Sequence, residues 1–309
     1  MRGILRLNEP MARHVSWRAG GAARQAYVPA DLADLIEFLR SLQGDEPLLF
    51  VGLGSNLLVR DGGFKGTVIL MHAVLNNVRV EGDRIYAEAG VASPKLARFA
   101  AKHDYIGAEF LAGIPGTIGG ALAMNAGCYG AETWEGVDEV LSIDRQGGQH
   151  RRKPAEYEIA YRHVVLQGGT SQQPSEWFVA TWFKFKRGDG QESLQRIKHL
   201  LQQRIASQPL QQPNAGSVFR NPPQDFAARL IESCGLKGLQ IGGAQVSEKH
   251  ANFIVNLGKA SAADIESLIG TVQATVRQEK GILLEPEVRI VGDTVSGLGG
   301  NRDFTKSNG

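Results

Sequence analysis

The chain has 309 residues, of which 42% are hydrophobic, so it is long enough for two or three domains with a sizeable core. A formal net charge of +2 argues against a general nucleic-acid binder, and the two cysteines, Cys128 and Cys234, cannot form a disulfide scaffold. No apolar run approaches the roughly 20 residues that span a bilayer, and the N-terminus lacks a signal-peptide core. The scattered histidines match no zinc-site spacing. These features predict a cytoplasmic protein that binds no metal, membrane or nucleic acid.

The first part of the chain predicts a strand–helix–strand–strand unit that ends near residue 72. The helix is amphipathic, and Gly44 is its expected stop. Its apolar stripe consists of Leu32, Leu35, Ile36 and Leu39. The predicted elements are short strands over residues 1–30, the helix over 31–43, and strands over 47–51 and 66–71.

The middle of the chain combines strands with two helices. Ser93 is the expected cap of the first helix, with Pro94 in its first turn. The second helix is amphipathic, and its apolar stripe consists of Leu194, Ile197, Leu201 and Ile205. The predicted elements are a hairpin over 78–80 and 84–87, a helix over 94–103, strands over 137–143 and 177–186, and a helix over 191–206.

The last part follows a proline-containing linker over residues 208–213. Strand alternation in its final strand would place Glu285, Glu287 and Arg289 on one face. The predicted elements are a helix over 226–234, a strand over 251–257, a helix over 262–280, a strand over 281–291 and a frayed tail over 293–309.

Two glycine-dense loops stand out as chemical signals. The first is Gly52-Leu53-Gly54-Ser55-Asn56, directly after a predicted strand, and the second spans residues 113–120. The first loop is not a dinucleotide-binding fingerprint, because Leu57 stands where the third glycine should be, and no Walker lysine follows it. Either loop alone is explained by tight turns or close packing, whereas both together are consistent with a phosphate cradle.

Isolated polar residues add little when they are considered singly. Ser217 is typical of a turn residue, Arg162 of a solvated surface charge, and Glu287 of a solvated strand face. Cys128 is typical of a small buried side chain. Residue patterns alone therefore lead to a cytosolic α+β protein with a possible nucleotide site and no further.

The ordered set of motifs is more specific than any one of them. The chain resembles the UDP-N-acetylenolpyruvoylglucosamine reductase (MurB) family across about residues 10–292. The motifs that carry the resemblance are Arg18-Ala19-Gly20-Gly21, Gly52-Leu53-Gly54-Ser55-Asn56, Gly113-Ile114-Pro115-Gly116-Thr117-Ile118-Gly119-Gly120, Asn125-Ala126-Gly127, Tyr161-Arg162, Gly216-Ser217-Val218-Phe219-Arg220-Asn221-Pro222 and Leu284-Glu285-Pro286-Glu287-Val288.

The resemblance implies an α+β chain with a two-subdomain FAD-binding fold of the vanillyl-alcohol-oxidase/PCMH type and a C-terminal α+β substrate domain. The expected boundaries are 1–72 and 73–207 for the two FAD-binding subdomains, 208–292 for the substrate domain, and 293–309 for a disordered tail. The chain is similar to the form of the family that lacks an extra tyrosine-bearing substrate loop.

The resemblance also implies a reaction. NADPH reduces FAD, and the flavin then reduces UDP-N-acetyl-3-O-(1-carboxyvinyl)glucosamine to UDP-N-acetylmuramate in peptidoglycan precursor synthesis. The expected cofactor is non-covalent FAD, the expected partner is a small-molecule sugar nucleotide, and a monomer is favoured. Two other functions stay open: a flavin-dependent oxidase of the same fold, and a non-catalytic nucleotide-sugar binding protein.

Three catalytic residues follow from the motif matches. Arg162 would stabilise the charge that develops on the substrate carboxylate, Glu287 would assist it, and Ser217 would donate the proton. Val164 stands where the family often has a small hydroxyl residue. The expected substrate-binding residues are Tyr161, Asn221, Lys237 and His250. The expected FAD-binding residues are Gly52, Gly54, Ser55, Asn56, Leu57, Ile114, Pro115, Gly116, Thr117, Gly119, Gly120, Asn125 and Gly127.

Overall fold

The computed structural model describes residues 1–42, 44–72, 74–169 and 175–295, which form three α+β units. The first unit is a four-stranded sheet in the order β1-β2-β5-β3, in which β2, β5 and β3 are parallel and β1 is an antiparallel edge. Helix α1 buries Leu35, Phe38 and Leu39 against one face of this sheet. The elements are β1 (Ile4–Pro10), β2 (Ala22–Val28), α1 (Leu32–Ser41), β3 (Leu48–Val51), β4 (Leu57–Val59) and β5 (Phe64–Leu70).

The second unit is an antiparallel sheet in the order β12-β11-β15-β7-β6. The predicted hairpin is confirmed as β6 and β7. The elements are β6 (Val78–Glu81), β7 (Arg84–Glu88), α2 (Ser93–Lys102), β8 (Tyr105–Ile106), α3 (Ile118–Met124), β9 (Gly127–Cys128), β10 (Ala131–Glu132), β11 (Val137–Asp144), β12 (Gln149–Arg152), β13 (Tyr157–Ala160), β14 (His163–Leu166), β15 (Glu176–Phe183), β16 (Lys186–Arg187) and α4 (Gly190–Ser207).

The third unit has a small antiparallel sheet, β17-β18-β19, packed on the long helix α6. Its last strand, β20, leaves this sheet and pairs in parallel with β4 of the first unit. The elements are α5 (Ala227–Ser233), β17 (Gln240–Ile241), β18 (Ala244–Val246), β19 (Ile254–Asn256), α6 (Ala262–Lys280) and β20 (Arg289–Val291).

Two predicted helix ends need correction because the main chain fixes them differently. Helix α1 ends at Ser41, and Leu42 closes it by donating its N–H to the carbonyl of Leu39, so Gly44 is not its stop. Gln43 lies outside the described residues. Helix α2 is capped by Ala92, not by Ser93, whose hydroxyl makes no capping bond. An isolated bridge from Ala92 to Thr117 sets the start of α2 instead.

Three predicted strands are shorter in the structure than the sequence pattern indicates. The predicted strand over 281–291 is reduced to β20, because Pro286 has no N–H to donate and forms only an isolated bridge with Phe219. Strand β15 ends at Phe183, and the residues beyond it pair separately as β16 with β8. The predicted strand over 251–257 is reduced to β19.

The predicted apolar stripe of α4 is only partly buried. Ile197 lies in the core of the second unit, and Leu194 and Leu201 pack beside it. Ile205 is 62% exposed, because the last turns of the helix extend beyond the surface that covers Ile197. The carbonyl of Ile205 instead accepts a hydrogen bond from Lys249 Nζ of the third unit at 2.6 Å.

The first and third units share one hydrophobic core. Trp17, Ala19 and Leu58 pack among residues of the third unit. The indole Nε1 of Trp17 donates to the carbonyl of Ile254 at 2.7 Å, and Asn256 donates back to the carbonyl of Trp17 at 2.8 Å. The predicted domain boundaries stay predictions, but any movement of the third unit relative to the first would break this shared core.

The predicted tail is described only as far as residue 295. Asp293 is not frayed, because its N–H and carbonyl bond to Gly63 and Gly62 and its carboxylate pairs with Lys65. Residues 296–309 lie outside the described part of the chain. In the described ranges, no helix combines the length and apolar character needed to cross a membrane.

Candidate functional site

A cavity of about 330 Å³ lies where the three units meet. Both glycine loops line it, together with side chains from the β13–β14 turn, the end of α4 and the third unit. Of the residues predicted from sequence, those that line it are Gly52, Gly54, Ser55, Asn56, Leu57, Ile114, Pro115, Gly116, Thr117, Gly120, Gly127, Arg162, Ser217 and Glu287.

The first glycine loop is held from behind by the segment after β1. Gly54 has a φ of +58°, and its carbonyl accepts a hydrogen bond from the N–H of Ser16 at 3.1 Å. A Cβ at Gly54 would lie 2.2 Å from the carbonyl oxygen of His14, so this glycine is required by packing on its outer side. Among the described residues, no acceptor pairs with the backbone N–H groups of Ser55 and Asn56. The loop therefore offers free donors toward the cavity.

The second glycine loop faces the first across a direct contact. A Cβ at Gly52 would lie 2.2 Å from Thr117 Oγ1, so the two loops approach closely only because Gly52 has no side chain. A Cβ at Gly120 would make only an ordinary contact, with Thr117 Oγ1 at 3.8 Å, whereas a Cβ at Gly116 would lie in tight contact with Ser55 Oγ of the first loop at 3.3 Å. These glycines provide a cradle without side chains.

The cradle fits the phosphate-bearing part of a dinucleotide cofactor. Free backbone donors suit an anion, and the open glycines let the ligand approach the main chain. Arg289 also lines the cavity and has no carboxylate partner in the described part of the chain. A cationic side chain beside exposed N–H groups is the donor set that a pyrophosphate requires.

Arg162 and Glu287 form an ion pair in the wall of the cavity. Arg162 Nε lies 2.6 Å from Glu287 Oε1, and the two side chains are 13% and 14% exposed. The terminal nitrogens of Arg162 donate to the carbonyls of Asn125 and Gly127, each at 3.3 Å. One N–H of each terminal nitrogen remains for a ligand, since a guanidinium carries five donors.

The Arg162 backbone has an unusual conformation. Its φ is +55°, in the left-handed region that residues other than glycine rarely adopt. The residue is the second of the two residues between β13 and β14, and Tyr161 before it has no positive φ, so this turn is not one of the primed types whose twist matches the strands. This turn aims the guanidinium into the cavity.

Burial raises the pKa of Glu287, while Arg162 and, more weakly, Arg220 oppose that shift. The carboxyl group therefore keeps its proton to a higher pH than an ordinary glutamate. The main chain of Glu287 is held from the first unit, because Asn56 Nδ2 donates to the Glu287 backbone carbonyl at 3.0 Å. The first glycine loop and the segment that carries this carboxyl group are consequently joined by a direct hydrogen bond.

Ser217 lies in a turn that the third unit fixes on both sides. Gly216 has a φ of +75°, and its N–H donates to Asn214 Oδ1. The buried Asn252 binds the main chain just after the serine, since its carbonyl accepts from Val218 and its amide donates to the carbonyl of Phe219. The serine lines the cavity, and no described residue hydrogen-bonds its hydroxyl, which is therefore available to a ligand.

Two residues predicted to bind the cofactor lie outside the cavity lining. Gly119 packs against Ala89 and donates its N–H to the carbonyl of that residue. The amide of Asn125 bonds to Glu132 and Ala160, and its carbonyl accepts from Arg162. Gly119 thus permits close helix–strand packing, and Asn125 supports Arg162; their contact with a cofactor stays a prediction.

The four residues predicted to bind substrate also lie outside the cavity lining, and each makes contacts elsewhere. Tyr161 is 43% exposed and stacks on Arg162 at 4.7 Å. Asn221 Oδ1 accepts from the N–H of Ala227 at 3.1 Å and so caps α5. Lys237 pairs with Glu232 at 2.7 Å. His250 packs edge-on against Phe253, and burial lowers its pKa.

Sequence reasoning missed three polar residues of the lining: Arg204, Gln208 and Arg289. Arg204 Nε donates to Gln208 Oε1 at 2.9 Å, and no described carboxylate pairs with it. Burial lowers the pKa of Arg204. The sequence pattern of α4 does not distinguish Arg204 from an ordinary surface charge. Strand alternation does predict Arg289 on the same face as Glu287. In the described ranges, no cluster of histidine, cysteine and acidic side chains is arranged to hold a metal ion.

Comparison with known proteins agrees with this geometry. Residues 23–152 match the model of an FAD binding domain, and residues 208–291 match the C-terminal domain of UDP-N-acetylenolpyruvoylglucosamine reductase. The reductase of Thiobacillus denitrificans is 58% identical over 307 residues, covering 95% of this chain and 94% of that protein. The reductase of Nitrosospira multiformis is 55% identical over 311 residues, covering 94% and 90%.

A solved structure extends the comparison to the fold. The crystal structure of UDP-N-acetylenolpyruvylglucosamine reductase (MurB) from Thermus caldophilus superposes with a TM-score of 0.78 at 32% identity, covering 94% of this chain and 99% of that one. The fold and the paired loops define an FAD-containing oxidoreductase. The predictions of an α+β flavin fold and of FAD as cofactor are confirmed. The chain belongs to the UDP-N-acetylenolpyruvoylglucosamine reductase family.

Proposed function

We propose that this protein reduces UDP-N-acetyl-3-O-(1-carboxyvinyl)glucosamine to UDP-N-acetylmuramate with NADPH as hydride donor, as a cytoplasmic monomer in peptidoglycan precursor synthesis. The observation that carries the proposal is the convergence of Arg162, Ser217 and Glu287 on the cavity that both glycine loops line. Each of the three comes from a different segment of the chain, and family membership supplies the substrate class.

The two glycine loops would hold FAD non-covalently by its pyrophosphate. The free N–H groups of Ser55 and Asn56 and the cation of Arg289 are suited to the two phosphates. The FAD held by these residues would supply hydride transfer from NADPH to the terminal vinyl carbon of the substrate.

Arg162 would bind the carboxylate of the enolpyruvyl group. Its two unclaimed N–H groups suit two carboxylate oxygens, and its other donors hold it in place before the substrate arrives. Hydride addition at the vinyl carbon moves negative charge onto the adjacent carbon and the carboxylate. A fixed guanidinium in a half-buried site stabilises that charge with little reorganisation.

Glu287 and Ser217 would complete the reduction. Its ion pair with Arg162 would offset the repulsion between Glu287 and the substrate carboxylate, and the raised pKa of Glu287 favours its protonation when that second carboxylate arrives. The hydroxyl of Ser217 would deliver its proton to the enolate carbon and be reprotonated from solvent. The net result is one hydride and one proton added across the double bond.

An anaerobic experiment tests the proposed function. The yellow holoenzyme should be bleached by NADPH and should regain the oxidised spectrum when the enolpyruvyl sugar nucleotide is added. An oxidase would instead regain colour rapidly in air without substrate, and a purely binding protein would not be bleached. Either of those results would overturn the proposal.

Arg204 lines the cavity without a carboxylate partner among the described residues, and we expect it to bind the diphosphate of the sugar nucleotide. Replacing Arg204 by Met should raise the KM for substrate and the inhibition constant of UDP by about 10–100-fold, since hydrogen bonds to charged groups contribute ~1.5–3 kcal/mol. The kcat and flavin content should stay near wild-type values. The matched control is Arg196→Met on the exposed face of the same helix. Unchanged UDP affinity in the Arg204 variant would exclude this role.

A further inference from the structure

The left-handed turn at Arg162 raises the question of what maintains it. A residue other than glycine at a φ of +55° is strained, and such a conformation persists only where the surroundings fix it. Glu287, Asn125 and Gly127 fix the guanidinium end of the side chain. These contacts do not restrain the peptide that follows Arg162.

The carbonyl of that peptide has one described side-chain donor, Arg220. Arg220 Nη2 lies 3.2 Å from the carbonyl oxygen of Arg162, although the two residues are 58 positions apart in the chain. Arg220 belongs to the third unit and Arg162 to the second, so this hydrogen bond crosses the interface beside the cavity. The Arg220 guanidinium also lies 3.7 Å from Glu285, an exposed and weak partner.

The base of Arg220 is rigid. Its N–H donates to the carbonyl of Glu285 at 2.9 Å, and the N–H of Glu287 donates to the carbonyl of Val218 at 2.7 Å. Phe219 and Pro286 form the bridge between these two bonds. The segment that carries Ser217 and the segment that carries Glu287 are therefore one short antiparallel ladder, and Arg220 extends from it.

We propose that Arg220 is a positioning residue that clamps the Arg162 turn onto the ladder carrying Ser217 and Glu287. It does not line the cavity, so it acts through the residues that do. The clamp fixes the distance between a guanidinium from the second unit and two groups from the third. The catalytic consequence of this inference rests on the proposed function. The hydrogen bond from Arg220 to the Arg162 carbonyl does not depend on it.

Loss of the clamp has two separable effects. The turn can relax from the left-handed conformation, and a misplacement of about 1 Å in a catalytic group can cost ~10²-fold in rate. The charge of Arg220 also acts on Glu287, on which Arg162 acts as well, and Arg289, two residues further along the same segment, lines the same cavity. A nearby cation favours the ionised carboxylate, so removing it moves the ionisation of Glu287 to higher pH.

The test compares Arg220→Met with Arg220→Lys in the FAD-loaded enzyme. The control is Arg229→Met, which removes an exposed arginine of the same unit that, within the described ranges, pairs with Asp225 alone. We expect Arg220→Met to retain flavin, to slow substrate-driven flavin reoxidation by about 10–100-fold, and to move the Glu287 limb of the pH–rate profile to higher pH. Arg220→Lys keeps the positive charge, so the Glu287 limb of its pH–rate profile should stay at the wild-type pH. Its reoxidation rate should lie between those of the wild type and Arg220→Met.

A crystal structure of Arg220→Met provides the readout that does not depend on activity. The φ of Arg162 should leave the left-handed region, or the Arg162 carbonyl should move away from the ladder. An unmoved Arg162 together with a wild-type reoxidation rate would overturn the clamp. If the wild-type enzyme did not use the enolpyruvyl substrate at all, the proposed function would fail, whereas the change at Arg162 would still test the clamp.

Discussion

Replacing Ser217 by Ala should slow reoxidation of the reduced enzyme by the enolpyruvyl substrate by about 10²–10⁴-fold, the range typical of a positioned acid. Reduction of the flavin by NADPH should remain close to the wild-type rate, because that step needs no proton at the substrate carbon. The substitution removes a hydroxyl that lines the cavity and has no partner among the described residues. It should therefore change neither the fold nor the flavin content.

Anaerobic stopped-flow absorbance resolves the two half-reactions and decides the assignment. Ser233→Ala is a matched control, because its hydroxyl bonds to the carbonyl of Leu230 within α5, away from the cavity. That control should follow wild-type kinetics in both steps. Equal slowing of both half-reactions in Ser217→Ala would contradict a proton-donor role and would indicate a general disturbance of the site.

The second large effect is expected at Gly54. Substitution by Val should abolish flavin retention, because the new Cβ would lie 2.2 Å from the carbonyl of His14 and 2.7 Å from the Cα of Val15. The clash is with main chain, so the loop itself must move and withdraw its free N–H groups. A β-branched residue at a φ of +58° adds further strain. The expected loss of flavin thus comes from the clash with His14 and Val15 behind the loop, and not from a side chain that blocks the phosphate itself.

The control variant Gly82→Val separates the effect of the steric clash at Gly54 from the effect of backbone strain at a positive φ. Gly82 has a nearly equal φ of +62° in the β6–β7 turn, and nothing lies within 4 Å of a Cβ added there. This variant should lose some stability through backbone strain and retain FAD. Flavin content is measured from absorbance after gel filtration, and stability from thermal unfolding. Full flavin occupancy in Gly54→Val would remove the first loop from the cofactor site.

Local signals explain which parts of the fold were predictable from the sequence. Helix α6 has the predicted bounds, because Ser261 and Asp264 form a capping box at its start and Gly281 adopts the left-handed cap at its end. The glycine loops were also recognisable, since the first directly follows the strand β3 and the second leads into the helix α3. These features depend on residues that are adjacent in the chain.

The sequence was least informative where distant packing decides. Lys237 and His250 lie in loops of the third unit outside the cavity lining, and their contact with substrate stays a prediction. Arg204 looks like an ordinary helix charge, and only the tertiary fold turns it toward the other units. Ile205 continues the apolar period of its helix, but no partner extends far enough to cover it.

The pairing of β20 with β4 has a consequence for the order of folding. Arg289 pairs with Leu57, so the cofactor loop is braced by a contact that closes more than 200 residues of chain. Contacts of such long sequence separation form slowly, because the entropy of closing the loop must be lost before they contribute. On the ribosome, residues 289–291 are synthesised more than 200 residues after the loop that they brace. Flavin capture should accordingly be a late event, and a chain truncated before β20 should accumulate without colour.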